Sequence, residues 1–131
     1  MSEIESAIKH CQQALRCDPD NAAIRTQYRL YRDVEEKKTT GDEAFKRGQF
    51  KSAIDAWSDC IMLLRSDAPL LLSKLHFNRA TALMKEHKYD DSVKDCNKAI
   101  YYNNMYVKAY VRRAEIYQSM SGPENLHKAI E

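Results

Sequence analysis

The sequence predicts an all-α fold, built as an array of stacked antiparallel helical hairpins with about seven helices. The composition favours helix, because 44% of the residues are hydrophobic, 31% are charged, and only three are glycine and three proline. Apolar residues recur at spacings of three and four, and no useful stretch alternates apolar and polar residues as a strand would. Finally, a pattern of small and aromatic residues occurs twice, thirty-nine residues apart.

This repeated pattern is the strongest indication of the architecture. Its first copy consists of Gly41, Phe50, Ala53, Trp57 and Cys60, and its second of Ala80, Tyr89, Ser92, Cys96 and Ala99. A helical hairpin cannot bury both of its faces alone, so hairpins that repeat in sequence stack in space. A four-helix bundle would also be all-α, but it does not need the same residue types in register. Arrays of this kind bind partners, and the pattern therefore favours a binding function.

Three helices are predicted in the first half of the chain, at Ser2–Cys17, Ala22–Lys46 and Phe50–Leu64. The first has an apolar stripe at helical spacing. The segment Asp18–Asn21 contains a proline and capping residues, which end this helix and begin the next. Gly48 ends the second helix, which is unusually long.

Four further helices are predicted after Leu64, at Leu70–Glu86, Tyr89–Tyr102, Tyr106–Met120 and Glu124–Glu131. Pro69 suits the first turn of a helix, which places a helix start beside it. Asn103 and Asn104 form a turn, because asparagine tolerates the conformation that ends helices. The segment Ser121–Pro123 is predicted to stop the sixth helix before the seventh begins.

The charge balance argues against several function classes. The chain has 21 basic and 19 acidic residues and a net charge of +2, which does not indicate nucleic acid binding. No apolar stretch approaches the roughly 20 residues that span a membrane, so we expect no membrane association. The N-terminal segment is charged and does not resemble a signal peptide. We expect a cytoplasmic protein, with the nucleus as a second possible location.

The four cysteines are predicted to be reduced. No gap between them matches the Cys-x-x-Cys spacing of metal and redox sites. Cys11, Cys60 and Cys96 fall on predicted core positions of helices, where a reduced cysteine acts as a small hydrophobic residue. We therefore expect neither a disulfide nor a metal site.

Three segments carry a resemblance to a known family. They are Gly41-Asp42-x-x-Phe45-x-x-Gly48-x-Phe50-x-x-Ala53-x-x-x-Trp57, Asn78-Arg79-Ala80-x-x-Leu83, and Lys108-Ala109-Tyr110-x-Arg112-Arg113-Ala114. Each resembles part of a tetratricopeptide repeat (TPR), and the step from Asn78 to Arg112 is thirty-four residues, the ideal length for that family. The resemblance implies a right-handed superhelical TPR solenoid.

The same resemblance implies a division of the chain into repeats. Residues 1–21 correspond to the end of one repeat, and residues 22–37 to the linking part of a long helix. Repeats follow at 34–70 and 71–104, and a partial repeat at 105–131. Since the pattern begins and ends within a repeat, we expect the chain to be part of a longer array.

Within the family, the runs Thr40–Lys46, Asn78–Ala80 and Lys108–Ala114 are most similar to the TPR regions of J-domain co-chaperones of the DnaJ type. A J domain contains the tripeptide His-Pro-Asp, which this sequence lacks. If the resemblance is right, such a domain lies outside this chain.

The resemblance also implies a binding site. In co-chaperones of this family, a carboxylate clamp of two Lys, two Asn and an Arg or Lys holds chaperone tails ending in Glu-Glu-Val-Asp. The corresponding positions here are Lys38, Asp42, Asn78, Lys108 and Arg112, with Asp42 in place of the usual asparagine. The partners implied are the C-terminal tails of Hsp70- and Hsp90-class chaperones.

The spacing of these residues is compatible with one groove. Lys38 and Asp42 are four residues apart, as are Lys108 and Arg112, so each pair shares a helix face. Phe45, Phe77 and Thr81 are expected to contact the ligand residues before its terminus. Lysine and arginine residues on helices usually just face solvent, and this interpretation remains an alternative to the clamp. Asp42 either repels a ligand carboxylate or pairs with Lys38, and both weaken or alter selectivity for tails.

Two other functions remain open from the sequence. The first is a general scaffold, whose groove takes an internal peptide or a helix of another protein. The second is an enzyme, for which the residues give little support: no phosphate-binding glycine-rich loop, His-Glu-x-x-His motif or spaced nucleophile–base pair is present. We expect no catalytic residue, cofactor or metal, and a monomer.

Overall fold

The protein is a chain of helices that pack mainly on their sequence neighbours. A computed structural model describes the backbone of residues 2–130 and the side chains of residues 2–121. Its helices are α1 Glu3–Cys17, α2 Ala22–Lys46, α3 Phe50–Leu64, α4 Pro69–Lys85, α5 Tyr89–Tyr102 and α6 Val107–Ile130. No strand occurs in the described residues, which confirms the predicted all-α array. None of the described helices is both long and apolar enough to cross a lipid bilayer.

The helix count differs from the prediction at the C-terminal end. The described residues form six helices instead of about seven, because α6 continues through Ser121–Pro123, where a stop was predicted. A proline removes one backbone donor and tends to kink a helix, but the helix can continue on both sides of it. The predicted seventh helix, up to Ile130, is therefore the end of α6, and Glu131 lies outside the described residues.

Local interactions explain where the first two helices begin. A capping box starts α1: the Ser2 hydroxyl accepts from the Glu5 N–H at 3.2 Å, and the Glu5 carboxylate accepts from the Ser2 N–H at 3.3 Å. The Asn21 side chain caps α2 by accepting from the Ile24 N–H at 3.1 Å. Caps of this kind contribute about 1 kcal/mol each, because they satisfy donors that the helix itself leaves free.

The small residues of the repeated pattern lie mostly at helix contacts. Ala53, Ala80 and Ala99 are fully buried, as expected for positions where neighbouring helices approach closely. Ala114, a small residue of the third TPR-like segment, is exposed instead. The reason is that α4 and α5 pack on the opposite side of α6, the side that buries Ala109 and Ile116.

The cysteines also differ in part from the prediction. Cys60 and Cys96 are buried, Cys17 is exposed, and all four are free thiols. Cys11, predicted as a core residue, is only half-buried, because α1 packs along α2 and makes few contacts elsewhere. Burial raises the pKa of the Cys60 and Cys96 thiols to about 11, so both stay protonated at neutral pH.

Candidate functional site

A groove between α2, α4 and α6 brings together most of the residues that the sequence predicted for binding. It encloses about 420 Å³. Its lining consists of Asp42, Phe45, Lys46, Trp57, Phe77, Asn78, Thr81 and Arg112. Six of these eight were predicted, and the groove has the size of a site for a few side chains of a ligand.

Asp42 lies in the groove with both of its carboxylate oxygens engaged. Oδ1 accepts a hydrogen bond from the Trp57 indole Nε1–H at 3.1 Å, and Oδ2 accepts one from Lys38 Nζ at 2.9 Å. Lys38 and Asp42 are both half-buried, and their ion pair spans one helical turn. Of the two expectations for Asp42, pairing with Lys38 is the one observed, and it neutralises one positive charge of the site.

The floor of the groove depends on a close approach of α2 and α3 at Gly41. A Cβ atom on Gly41 would lie 2.6 Å from Trp57 Nε1, which leaves no space for any other residue without movement. Phe45 packs on the same indole, with 5.8 Å between ring centroids, and on Phe50 at 5.3 Å. These contacts hold Trp57 in place and so orient its N–H toward Asp42.

Asn78 and Arg112 provide the groove's hydrogen-bond donors. Among the residues that the structure describes, none forms a hydrogen bond with the Asn78 amide, which remains available to a ligand. The Arg112 guanidinium lies over the Phe77 ring, 5.4 Å from its centroid, and 3.4 Å from the Glu115 carboxylate. Thr81 is already engaged, since its hydroxyl donates to the Phe77 carbonyl at 3.1 Å.

Lys38 and Lys108 are the two predicted site residues that do not line the groove. Lys38 reaches its edge through Asp42. Lys108 lies in a separate cavity of about 610 Å³ beside the N-terminal ends of α1 and α4. The two cavities are adjacent, because the Phe77 ring of the groove packs on the Tyr106 ring of the second cavity, with 5.2 Å between centroids.

The sequence analysis missed two residues of the groove and every lining residue of the second cavity except Lys108, and three of the missed residues could take part in binding. Lys46 and Trp57 line the groove, and Lys74 lines the second cavity. Helical spacing could have indicated two of them, since Lys46 is four residues after Asp42 and Lys74 four before Asn78. Trp57 was assigned only a packing role, and no sequence signal showed that its N–H would face the groove.

Comparison with known proteins finds the same fold in solved structures. The structure matches the second TPR domain of Spaghetti (RPAP3) bound to the HSP90 peptide SRMEEVD, with a TM-score of 0.60, 28% identity, and coverage of 73% of this chain and 84% of that one. The chain has the tetratricopeptide-repeat (TPR) fold. A second TPR structure, the TPR2AB domain of yeast Sti1 in a pHSP90 complex, matches with a TM-score of 0.58 and 26% identity, over 87% of this chain and 48% of that one.

The sequence of this TPR protein is similar to those of curated co-chaperone relatives. Human DnaJ homolog subfamily C member 7 is 34% identical over 118 residues, which cover 87% of this chain and 23% of the relative. The homologue from Schizosaccharomyces pombe is 28% identical over 129 residues, covering 98% and 27%. The chain thus spans about a quarter of the length of these relatives. No protein-family model matches it.

Proposed function

We propose that this TPR protein is the interaction module of a co-chaperone, and that its groove binds the acidic C-terminal tail of an Hsp70- or Hsp90-class chaperone. The observation that carries the proposal is the pairing of Asn78 and Arg112 in one groove with aromatic side chains around them. The RPAP3 and Sti1 TPR structures support it, because the first is bound to an HSP90 peptide and the second is a pHSP90 complex. In this role the protein works by binding and has no catalytic site.

Each proposed contact has a chemical reason. The Arg112 guanidinium and the Asn78 amide offer donors to carboxylate oxygens, and charge-assisted hydrogen bonds contribute about 1.5–3 kcal/mol each. Lys108 adds positive charge in the adjacent cavity, and Lys38 can add its charge only when a ligand draws it away from Asp42. Phe45, Phe77 and Thr81 contact the residues before the terminus. Three or four such bonds, less the cost of ordering a flexible peptide, give an affinity of about 8 kcal/mol, in the micromolar range.

Isothermal titration calorimetry with two synthetic peptides tests this function. One is SRMEEVD with a free C-terminal carboxylate, and the other is the same peptide with a C-terminal amide. We expect the acid to bind at least tenfold more tightly, because the amide lacks the terminal charge. Arg112→Ala should weaken the acid about tenfold, whereas Lys51→Ala, an exposed lysine of α3 outside both cavities, should leave binding unchanged. Equal binding of acid and amide by the unmodified protein rejects the proposal.

The ion pair between Lys38 and Asp42 favours a second candidate function. With one cation already neutralised, the groove also suits a less acidic ligand, such as an internal peptide or a helix of another protein. Equal affinity for the acid and the amide, with both still sensitive to Arg112→Ala, would support this general scaffold. For either function we propose a monomer in the cytoplasm or nucleus.

A further inference from the structure

We propose that the second cavity holds the C-terminal residue of the bound peptide. In this arrangement Lys74 and Lys108 bind the terminal carboxylate, and an apolar side chain of that residue fills the space between them. The inference rests on the proposed function, and it assigns to Lys74 a binding role outside the clamp positions. It also predicts that, among acidic tails, one whose last residue is aliphatic binds more tightly than one that ends in Asp.

The position of the second cavity makes it an extension of the groove. Lys74 lies four residues before Asn78 on α4, and Lys108 lies four residues before Arg112 on α6. Both lysines are therefore one helical turn, about 5.4 Å, from the groove donors on the same helix faces. An extended peptide advances about 3.3–3.6 Å per residue, so one or two residues cover this distance.

The side-chain charges of the second cavity add up to a positive balance, because Lys74 and Lys108 face the single carboxylate of Glu3. Its acidic residue, Glu3, is already engaged, because its Oε1 accepts a hydrogen bond from the Leu71 N–H at 2.6 Å in the first turn of α4. Neither Lys74 nor Lys108 forms an ion pair within the described part of the chain. Two exposed cations beside one engaged carboxylate are complementary to a negatively charged group.

The walls of the second cavity are apolar and partly exposed to water. Leu70 is 52% exposed and Val107 is 69% exposed. The half-buried Tyr106 ring also lines this cavity and packs on Phe77 of the groove. Burying such surface under a ligand side chain is favourable, roughly in proportion to the apolar area removed from water. The cavity therefore suits an apolar side chain next to a carboxylate, which is what a C-terminal aliphatic residue presents.

Asp42 gives a reason for the carboxylate to bind here instead of deeper in the groove. Its carboxylate already accepts the hydrogen bonds of Lys38 and Trp57. A ligand carboxylate at that place would meet a like charge and would have to displace Lys38. One turn away no cation has to be displaced, and the charge of Glu3 is outnumbered by those of Lys74 and Lys108.

Peptides that differ only in the last residue test this inference by calorimetry. The probes are SRMEEVD and SRMEEVL, each as the free acid and as the amide. We expect the unmodified protein to bind the SRMEEVL acid about threefold to tenfold more tightly than the SRMEEVD acid. Lys74→Ala should weaken the SRMEEVL acid about tenfold and leave its amide nearly unchanged, whereas Lys51→Ala should change neither.

A second pair of variants tests the apolar wall. Val107→Ser should reduce the preference for SRMEEVL over SRMEEVD, and Val111→Ser, which is also exposed on α6 but lies outside both cavities, should not. Preserved helicity by circular dichroism confirms that each variant is folded. If the acid binds better than the amide but Lys74→Ala leaves that difference intact, the terminal carboxylate lies elsewhere and this inference is wrong, while the proposed function stands. Equal binding of acid and amide instead rejects the proposed function.

Discussion

Asp42 is the residue at which the proposed site departs from the carboxylate clamp that the sequence resemblance implies. Its carboxylate binds Lys38 and the Trp57 indole at the same time, so it is both a structural acceptor and a charge in the binding site. An asparagine could keep the bond from Trp57 through its side-chain oxygen, but it would release Lys38. The substitution Asp42→Asn can therefore remove the negative charge while keeping the shape of the side chain.

We expect Asp42→Asn to tighten binding of the SRMEEVD acid about tenfold, which corresponds to 1.4 kcal/mol. The substitution removes a negative charge from the groove and frees Lys38 for the ligand. SRMEEVL, whose last residue has no carboxylate in its side chain, should gain less. Calorimetric titration of both peptides measures the effect, and unchanged or weaker binding of SRMEEVD would show that Asp42 does not face the ligand.

At the scale of elements, the predicted helix ends agree with the structure where a turn-forming residue lies beside them. The bounds of α3 and α5 agree with the prediction, because Gly48 precedes one helix and Asn103 follows the other. The continuation of α6 through Pro123 was not predictable in this way, since a proline weakens a helix without always ending it. The repeat limits within the chain stay a prediction.

The contact of α2 with α3 depends on the missing side chain of Gly41. We expect Gly41→Ala to lower the free energy of unfolding by about 1–2 kcal/mol, because the new methyl group would overlap the buried Trp57 ring. The higher helix propensity of alanine offsets about 1 kcal/mol of the overlap.

Urea denaturation followed by far-ultraviolet circular dichroism measures this loss. Thr39→Ala is the matched control, since it changes an exposed neighbour on the same helix and should be nearly neutral. A Gly41→Ala variant as stable as the unmodified protein would mean that Trp57 can move away at little cost.

At the scale of the whole molecule, a buried polar cluster joins three consecutive helices. The Arg79 guanidinium donates to both carboxylate oxygens of Asp95 at 2.7 Å and to the Ser58 hydroxyl at 3.0 Å. His76 Nδ1 lies 2.9 Å from Asp95 Oδ1. Burial alone would raise the pKa of Asp95, but the hydrogen bonds from Arg79 and His76 outweigh it and hold that pKa below its usual value.

This cluster predicts a dependence of stability on pH. Because the pKa of Asp95 is lower in the folded chain, its contribution is complete above the unfolded value of about 3.9 and is lost as the pH falls through the folded value. Asp95→Asn should remove that acid-dependent part and cost about 3 kcal/mol at pH 7.

Urea titrations between pH 7 and pH 3 measure both effects. Asp91→Asn, an exposed position on the same helix, serves as the control and should leave the pH profile unchanged. A profile of Asp95→Asn that matches the unmodified protein would show that Asp95 does not couple folding to protonation.

Packing across the whole molecule explains why the site was predicted only in part. The resemblance to TPR co-chaperones predicted one groove for Asp42, Phe45, Phe77, Asn78, Thr81 and Arg112, all of which line it. Helical spacing by itself groups only neighbours three and four residues apart on one helix face. It could not place Lys108, since the cavity around it depends on Glu3, which meets Leu71 across 68 residues of chain. Contacts of that range come from how α1 packs, and no local pattern encodes them.

The bond between Trp57 and Asp42 has a practical consequence for studies of this protein. Trp57 is the only tryptophan of the chain, and its indole nitrogen lies beside the Lys38–Asp42 ion pair. A ligand that draws Lys38 away from Asp42, or that removes water from the groove, changes the electric field at the ring. The intrinsic fluorescence of the protein therefore reports on occupancy of its groove, without any dye attached to protein or peptide.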